Sequence, residues 1–289
     1  MQPRPGAAGR EPSRAATSTN GRPPSATRTS SRHRGPGRAT FRGCATSSSS
    51  GPPPPSPPRC ARWAARGDRL HLVGRDPDKL AAVAARCAGA EVTTGAGDFT
   101  ELARAEALAN EAVAALGGRV DLVLVAHGDL GDQQRSEHDV AEAARIVQVN
   151  LLSVIAVLVP LANMLERQRS GTLAVITSVA GERGRPRNYT YGAAKGALHV
   201  YLQGLRSRLY PAGVSVTTLK LGPVDTPMTV GHAKNALFAT PQRAARDIDR
   251  AIARRAVVAF VPWYWRPILF VVRHTPEPLF QRLGFLSGR

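Results

Sequence analysis

The first 60 of the 289 residues contain no leucine, isoleucine or valine. They hold ten arginines, a single acidic residue (Glu11) and twelve of the chain's 23 prolines. A segment with so little to bury cannot offset the entropy lost on ordering, so residues 1–60 are expected to be disordered. The same segment supplies about half of the formal charge of +18, and the basic balance therefore says little about the rest of the chain. Its Arg- and Ser-rich composition is shared by organelle transit peptides, but without leucine it builds no amphipathic helix. As a basic arm it would bind nucleic acid only non-specifically, and no specific nucleic-acid partner is expected.

Three cysteines at irregular spacing give neither a disulfide framework nor a CxxC pair, which fits a reducing, cytoplasmic compartment. The seven histidines show no HxxxH or comparable spacing, so no metal site is expected. No uncharged apolar run reaches ~18 residues, so no spanning helix is expected. The N-terminus also lacks the apolar core of a secretory signal.

What is present begins at residue 61, where short β-branched runs alternate with helical stretches. That pattern predicts a doubly wound α/β domain with a parallel sheet over residues 61–289. Strands are expected at 69–74, 91–94, 120–126, 172–178, 214–219 and 256–261. Asp76 and Pro77 predict the cap and first position of a helix.

Tyr191 and Lys195 stand at i and i+4, stacked on one face of a predicted helix. A cation there favours the phenolate and is expected to make the phenol more acidic. An ordinary surface pair would have the same spacing, but its context adds to it. Ser178 ends a buried strand thirteen residues upstream, where a hydroxyl can polarise a carbonyl oxygen, and Asn150 lies in the preceding helix.

These four residues, in this order and spacing, resemble the Asn-Ser-Tyr-Lys tetrad of the short-chain dehydrogenase/reductase family, and the resemblance covers roughly residues 61–289. It implies a Rossmann-like fold and an NAD(P)-dependent oxidoreductase that reduces a ketone or oxidises an alcohol, usually as a dimer or tetramer. Tyr191 would be the general acid, Ser178 would orient the carbonyl, and Lys195 would assist the phenol and hold the nicotinamide ribose. Asn150 would complete the proton relay. Asp98 with Phe99 is similar to the family's adenine contact; a loop Asp capping the next helix is the alternative. Ala126-His127-Gly128 stands where the family usually has Asn-Ala-Gly. The segment 221–226, with Val224 and Thr226, resembles the family's Pro-Gly-x-Val-x-Thr run near the nicotinamide, with Leu221 in place of the Pro. Arg75, directly after the second strand, would accept a 2′-phosphate and favours NADPH over NAD(H); a solvated Arg is the alternative.

The family's first strand and Gly-rich phosphate turn are not recognisable before residue 64. Gly51 followed by four prolines cannot present the N–H groups that cradle pyrophosphate. The central strand is therefore expected to be missing or distorted. A shifted reading frame before residue 60 would account for it: TCN codons at Ser47–Ser50, read one base earlier, outline a strand entering a phosphate turn, whereas AGY codons there would exclude this. If the turn is truly absent, the chain would be a catalytically impaired member of the fold, kept as a binding scaffold or a non-functional product.

The blocks at 177–183, 188–195 and 261–266 are similar to the family's decaprenylphosphoryl-2-keto-ribose reductase branch, which implies a lipid-linked or sugar ketone. Trp263, Tyr264 and Trp265 precede an apolar run flanked by Arg266 and Arg273. Such a segment suits the inner face of a membrane or a lipid groove, or equally packing on the domain or a dimer partner.

Overall fold

The alternating runs build a single parallel sheet because β-branched and leucine-rich strands such as Leu122–Val125 and Thr172–Ser178 are apolar on both faces and each face needs a covering layer. The computed structural model describes residues 39–43, 63, 67–87, 89–229 and 235–284. Its strands are β1 (Ala39–Gly43), β2 (Arg69–Gly74), β3 (Val92–Ala96), β4 (Leu122–Val125), β5 (Thr172–Ser178), β6 (Ser215–Leu221) and β7 (Val258–Val261). They lie in the order β3-β2-β1-β4-β5-β6-β7, with every pairing parallel. The helices are α1 (Pro77–Ala85), α2 (Ala105–Ala115), α3 (Gln133–Ser136), α4 (Val140–Val147), α5 (Ser153–Gln168), α6 (Tyr189–Leu209), α7 (Pro241–Ala253), α8 (Trp265–His274) and α9 (Glu277–Arg282).

The doubly wound sheet is as expected, but the gap at its centre is not there. Ala39–Gly43 fills the central place, with Phe41 opposite His71 of β2 on one side and Val123 of β4 on the other. The physical reason is that parallel pairing is made by backbone N–H and C=O groups, which need no aliphatic side chain. Residues 37–51 are also free of proline, unlike their flanks. The remaining expectations for residues 1–60, disorder and the missing phosphate turn, lie outside the described residues.

Strand alternation divides the core in two. Val123 and Val125 of β4 join Leu173, Val175 and the stripes of α2, α5 and α6 on one face. Leu122 and Leu124 join Leu70, Leu72, Ala174 and the inner side of α7 on the other. Each such leucine contributes about 1.5–3 kcal/mol on burial. The continuous helix Val140–Gln168 is long and apolar enough to cross a membrane by length and composition, although no spanning helix is expected. Val154, Val157, Leu158, Leu161 and Leu165 on it are nonetheless buried in the first core, which makes it a core helix.

Asp76 caps α1 by accepting from the Lys79 N–H, with Pro77 in the first turn, as the sequence implied. The strand order reverses between β1 and β4, and such a switch point opens a crevice at the carboxyl ends of the strands. From that end β4 runs into Ala126-His127-Gly128, and β5 ends at Ser178. A Phe41→Pro substitution removes an N–H from the central strand and leaves its carbonyl partner unsatisfied, at a cost of about 1–3 kcal/mol. It is expected to lower Tm by roughly 2–12 °C, and an unchanged melt would show that β1 is not part of the cooperative unit.

Candidate active site

The site is made by one turn of backbone pressed onto one helix. Beyond β5 the chain forms a 3-10 turn, Val179–Glu182, capped by Ser178 Oγ, which accepts from the Ala180 N–H at 3.1 Å. This turn lies directly on the first half of α6. A Cβ on Gly192 would stand 2.9 Å from the Ala180 carbonyl oxygen, and one on Gly181 2.7 Å from the Gly196 nitrogen. Both obstacles are backbone and cannot move aside. The approach brings Ser178 close enough to the Tyr191 hydroxyl to favour its ionised form, while Ser178 Oγ donates to the Leu221 carbonyl at 3.5 Å.

Lys195, one turn further along α6, is buried, with its Nζ 5.6 Å from the centre of the Tyr191 ring. Burial pulls its pKa down to about 8. Asn150 reaches the same place from a π-helical turn, Gln148–Leu152, inserted between α4 and α5. Turns of this kind are frequent at functional sites. Here the Asn150 side chain takes over backbone partners: Nδ2 donates to the carbonyls of Ile146 (2.9 Å) and Asp129 (2.7 Å), and Oδ1 accepts from the Asp129 N–H at 3.2 Å. Gly128 is the point of convergence. A Cβ there would lie 2.8 Å from Asn150 Oδ1 and 3.1 Å from Lys195 Nζ.

One expectation is corrected. The Tyr191 phenol is not made more acidic: burial pushes it up to about 12, Asp129 adds to this, and the Ser178 contact opposes it without prevailing. Desolvation of the phenolate outweighs the opposing Ser178 contact. The phenol is therefore protonated at neutral pH, the form a proton donor needs.

The remaining candidates divide. Arg75 and Asp98 meet at 3.4 Å at the ends of β2 and β3, with the Arg75 side chain 40% exposed. Asp98 also accepts from the Thr100 N–H (2.8 Å) and hydroxyl (2.7 Å), so it shapes the loop before α2 in the manner of a cap. Burial opposes its ionisation, but the Thr100 and Arg75 contacts hold its carboxyl below the usual range. Phe99 is a core residue stacked on His127, ring centres 5.1 Å apart, so its side chain is spent on packing. Ala126 packs against the second core. Val224 forms a bridge with Ala239, and the Thr226 hydroxyl donates to the Val224 carbonyl at 3.3 Å within its own loop.

Sequence reading missed the support around this cluster. Asp129 carries the backbone groups that hold Asn150, and its carboxylate is gripped by Arg145 at 2.7 Å. Arg145 also holds buried Glu142, whose carboxyl it draws down to about 2 with help from the Asp132 N–H. The only sequence hint was Glu142 three residues before Arg145 on one helix face. His127 was noted only as a departure from the family pattern. It is buried, its Nε2 lies 2.9 Å from Ser153 Oγ, and its Nδ1 has no hydrogen-bond partner among the described residues.

These residues fit a nicotinamide dinucleotide. Lys195 has no carboxylate partner among the described residues, and a buried ammonium of that kind suits ribose hydroxyls as acceptors. His127 Nδ1 offers a further unpaired group beside it. No group of His, Cys, Asp and Glu able to hold a metal ion occurs among the described residues.

Comparison with known proteins bears on the same region. The chain matches the short chain dehydrogenase family over residues 59–236, a span that begins beyond β1. It is 36% identical over 226 residues to an uncharacterised oxidoreductase of Mycobacterium tuberculosis, covering 77% of this chain and 90% of the relative. Among solved structures it is similar to an actinorhodin polyketide ketoreductase with NADPH (TM-score 0.66, 19% identity, 78% of this chain and 94% of that one). A short chain dehydrogenase from Mycobacterium paratuberculosis bound to NAD is equally similar (TM-score 0.66, 20% identity, 79% and 97%). With a tetrad of the right residues gathered at the end of a doubly wound sheet, the chain belongs to the short-chain dehydrogenase/reductase family of oxidoreductases.

Proposed function

We propose that the chain reduces a ketone with NADPH, and that the ketone is lipid-linked or a sugar. The observation that carries this reading is that Lys195 meets Asn150 at the backbone of Gly128 and faces the Tyr191 ring, with Ser178 next to the Tyr191 hydroxyl. Bound NADPH supplies the hydride. Ser178 holds the carbonyl oxygen by a hydrogen bond, and Tyr191 gives that oxygen its phenolic proton. Lys195 carries the positive charge that stabilises the phenolate left behind. Asn150 fixes the loop at Asp129 and keeps the amide beside the ammonium. Lys195 is the residue to hold the nicotinamide ribose, and Arg75 the one to meet a 2′-phosphate, in exchange for part of its contact with Asp98.

The competing reading is a member of the fold without catalysis, favoured by Gly51 and the four prolines that follow it in place of a phosphate-binding turn. A titration separates the two. NADPH should bind with protein-dependent fluorescence and a raised Tm, more tightly than NADH, and Arg75→Ala should erase the difference. No response to either nucleotide would overturn the reductase reading. Tyr191→Phe should lower kcat by about 10²–10⁴-fold while leaving NADPH affinity nearly unchanged.

The pH dependence follows from Lys195. Below about 8 the ammonium is charged and supports phenolate formation; as pH rises through about 8 that charge is lost. Ketone reduction should therefore fall on the alkaline side of about 8, with Tyr191 still protonated throughout. A kcat that stays level to pH 10 would remove Lys195 from this role.

Support for a lipid-linked substrate comes from the C-terminal helices. Trp265, Leu269 and Val272 of α8 are buried, which is the packing alternative of the sequence reading. Trp263, Phe270 and Val271 are exposed beside Arg266, a combination suited to an anionic bilayer surface. Phosphatidylglycerol vesicles should co-sediment the protein and phosphatidylcholine vesicles should not, and Trp263→Ala with Phe270→Ala should abolish the difference. Equal partition to both would argue against this face as a membrane contact.

A further inference from the structure

Behind Ser178 lies a second polar cluster that the reduction chemistry does not touch. Glu182 closes the 3-10 turn four residues after Ser178, and its side chain is 3% exposed. Its carboxylate is met from three separate elements. Lys220 of β6 donates to Oε1, Arg273 of α8 lies 3.2 Å from Oε2, and His199 of α6 places Nδ1 3.3 Å from Oε1. On its other side His199 Nε2 is 2.9 Å from the Thr177 hydroxyl.

The proton positions follow from what each group can do. The Thr177 hydroxyl donates to the Leu219 carbonyl at 3.2 Å, so it can accept from His199 Nε2, while Glu182 faces the Nδ1 side of the ring at ion-pair distance. Burial and Lys220 keep His199 neutral down to about 4, which agrees with one N–H on the ring. The result is a contiguous set of polar contacts, Thr177 to His199 to Glu182 to Arg273. Thr177 directly precedes Ser178, and His199 stands one helical turn beyond Lys195.

The neighbouring residue fastens the same turn a second time. Arg183 Nη1 donates to the carbonyls of Val272 (2.5 Å) and Thr275 (2.6 Å) at the end of α8, and Nη2 to Glu277 of α9 at 2.6 Å. Its guanidinium lies 3.8 Å from the centre of the Phe280 ring. Beneath it Val179 packs with Trp265, Leu269, Val272 and Phe280.

We propose that Glu182 is a positioning residue, which with Arg183 makes the docking of α8 and α9 set the place of Ser178 against Tyr191. The inference rests on the reductase reading for its kinetic consequence, but not for its structural one. None of Glu182, His199 or Arg183 touches the reacting atoms. They act through the turn.

The test compares Glu182→Gln, Ser178→Ala and the double variant, with hydrogen exchange measured on each. Glu182→Gln should lower kcat for ketone reduction by at least about 30-fold with NADPH affinity within about threefold of the parent. In the double variant the loss should be no greater than that of Ser178→Ala alone, because both act at one hydroxyl. Amides of 179–183 should exchange at least about tenfold faster in Glu182→Gln, with those of β4 unchanged. Losses that multiply in a folded double variant would overturn the proposal and leave the reductase reading standing. Absent turnover in the parent protein would instead sink the reductase reading, and the exchange result alone would then decide: unchanged exchange at 179–183 overturns the link. Should Glu182→Gln fail to fold, Arg273→Ala breaks this set of contacts at its exposed end and is expected to show the same local exchange at smaller amplitude.

Discussion

Backbone pressed against backbone is the constraint from which the site follows. The turn after β5 lies so close to α6 that Gly181 and Gly192 leave no room for a methyl group on either side. A strand end and a helix seldom approach within contact of main-chain atoms, because side chains hold them apart. Here the missing side chains let Ser178 reach the phenol, and they do so without mobile groups in between. The geometry of the pair is thus set by rigid elements, which suits a proton transfer that tolerates little misplacement.

Dehydration then decides the electrostatics. Tyr191 and Lys195 are both deeply buried, and burial disfavours the charged form of each, raising the phenol and lowering the amine. The two shifts carry the phenol and the ammonium apart, to about 12 and about 8, so that the phenol keeps its proton over the whole range in which the ammonium is charged. No carboxylate neutralises Lys195 among the described residues, whereas the nearby Asp129 is committed to Arg145. Acidic groups near the site are in this way occupied in holding loops, and the ammonium keeps its field for the reacting oxygen.

Much of this was legible in the residues. The Tyr191–Lys195 spacing, Ser178 at a strand end and Asn150 upstream place the tetrad, and strand alternation places the two cores. Other parts carry no such signal. The strand Ala39–Gly43 holds one large apolar residue, Phe41, and a reader of hydrophobic period passes over it because its contribution is backbone pairing. The direction of the Tyr191 shift depends on how much protein surrounds the phenol, which spacing along a helix does not report. Phe99 matched a family position by its neighbour Asp98, while its ring belongs to the core through His127. Glu182, Lys220, His199 and Arg273 are scattered over 92 positions of sequence and become one cluster only through folding.

The π turn at Asn150 has a bearing on how this helix can vary. An α-helix advances 100° per residue, as 3.6 residues complete a turn. The extra residue accommodated within Gln148–Leu152 therefore sets the phase between α4, which carries Arg145 and Glu142, and the apolar stripe of α5. Shortening this stretch by one residue would restore a regular helix locally and yet rotate one half against the other. Either Asn150 would leave Gly128 or the stripe of Val154, Val157 and Leu161 would turn out of the sheet. Length is consequently fixed here more tightly than identity, and insertions or deletions should be tolerated in the flanking loops long before they are tolerated in this helix.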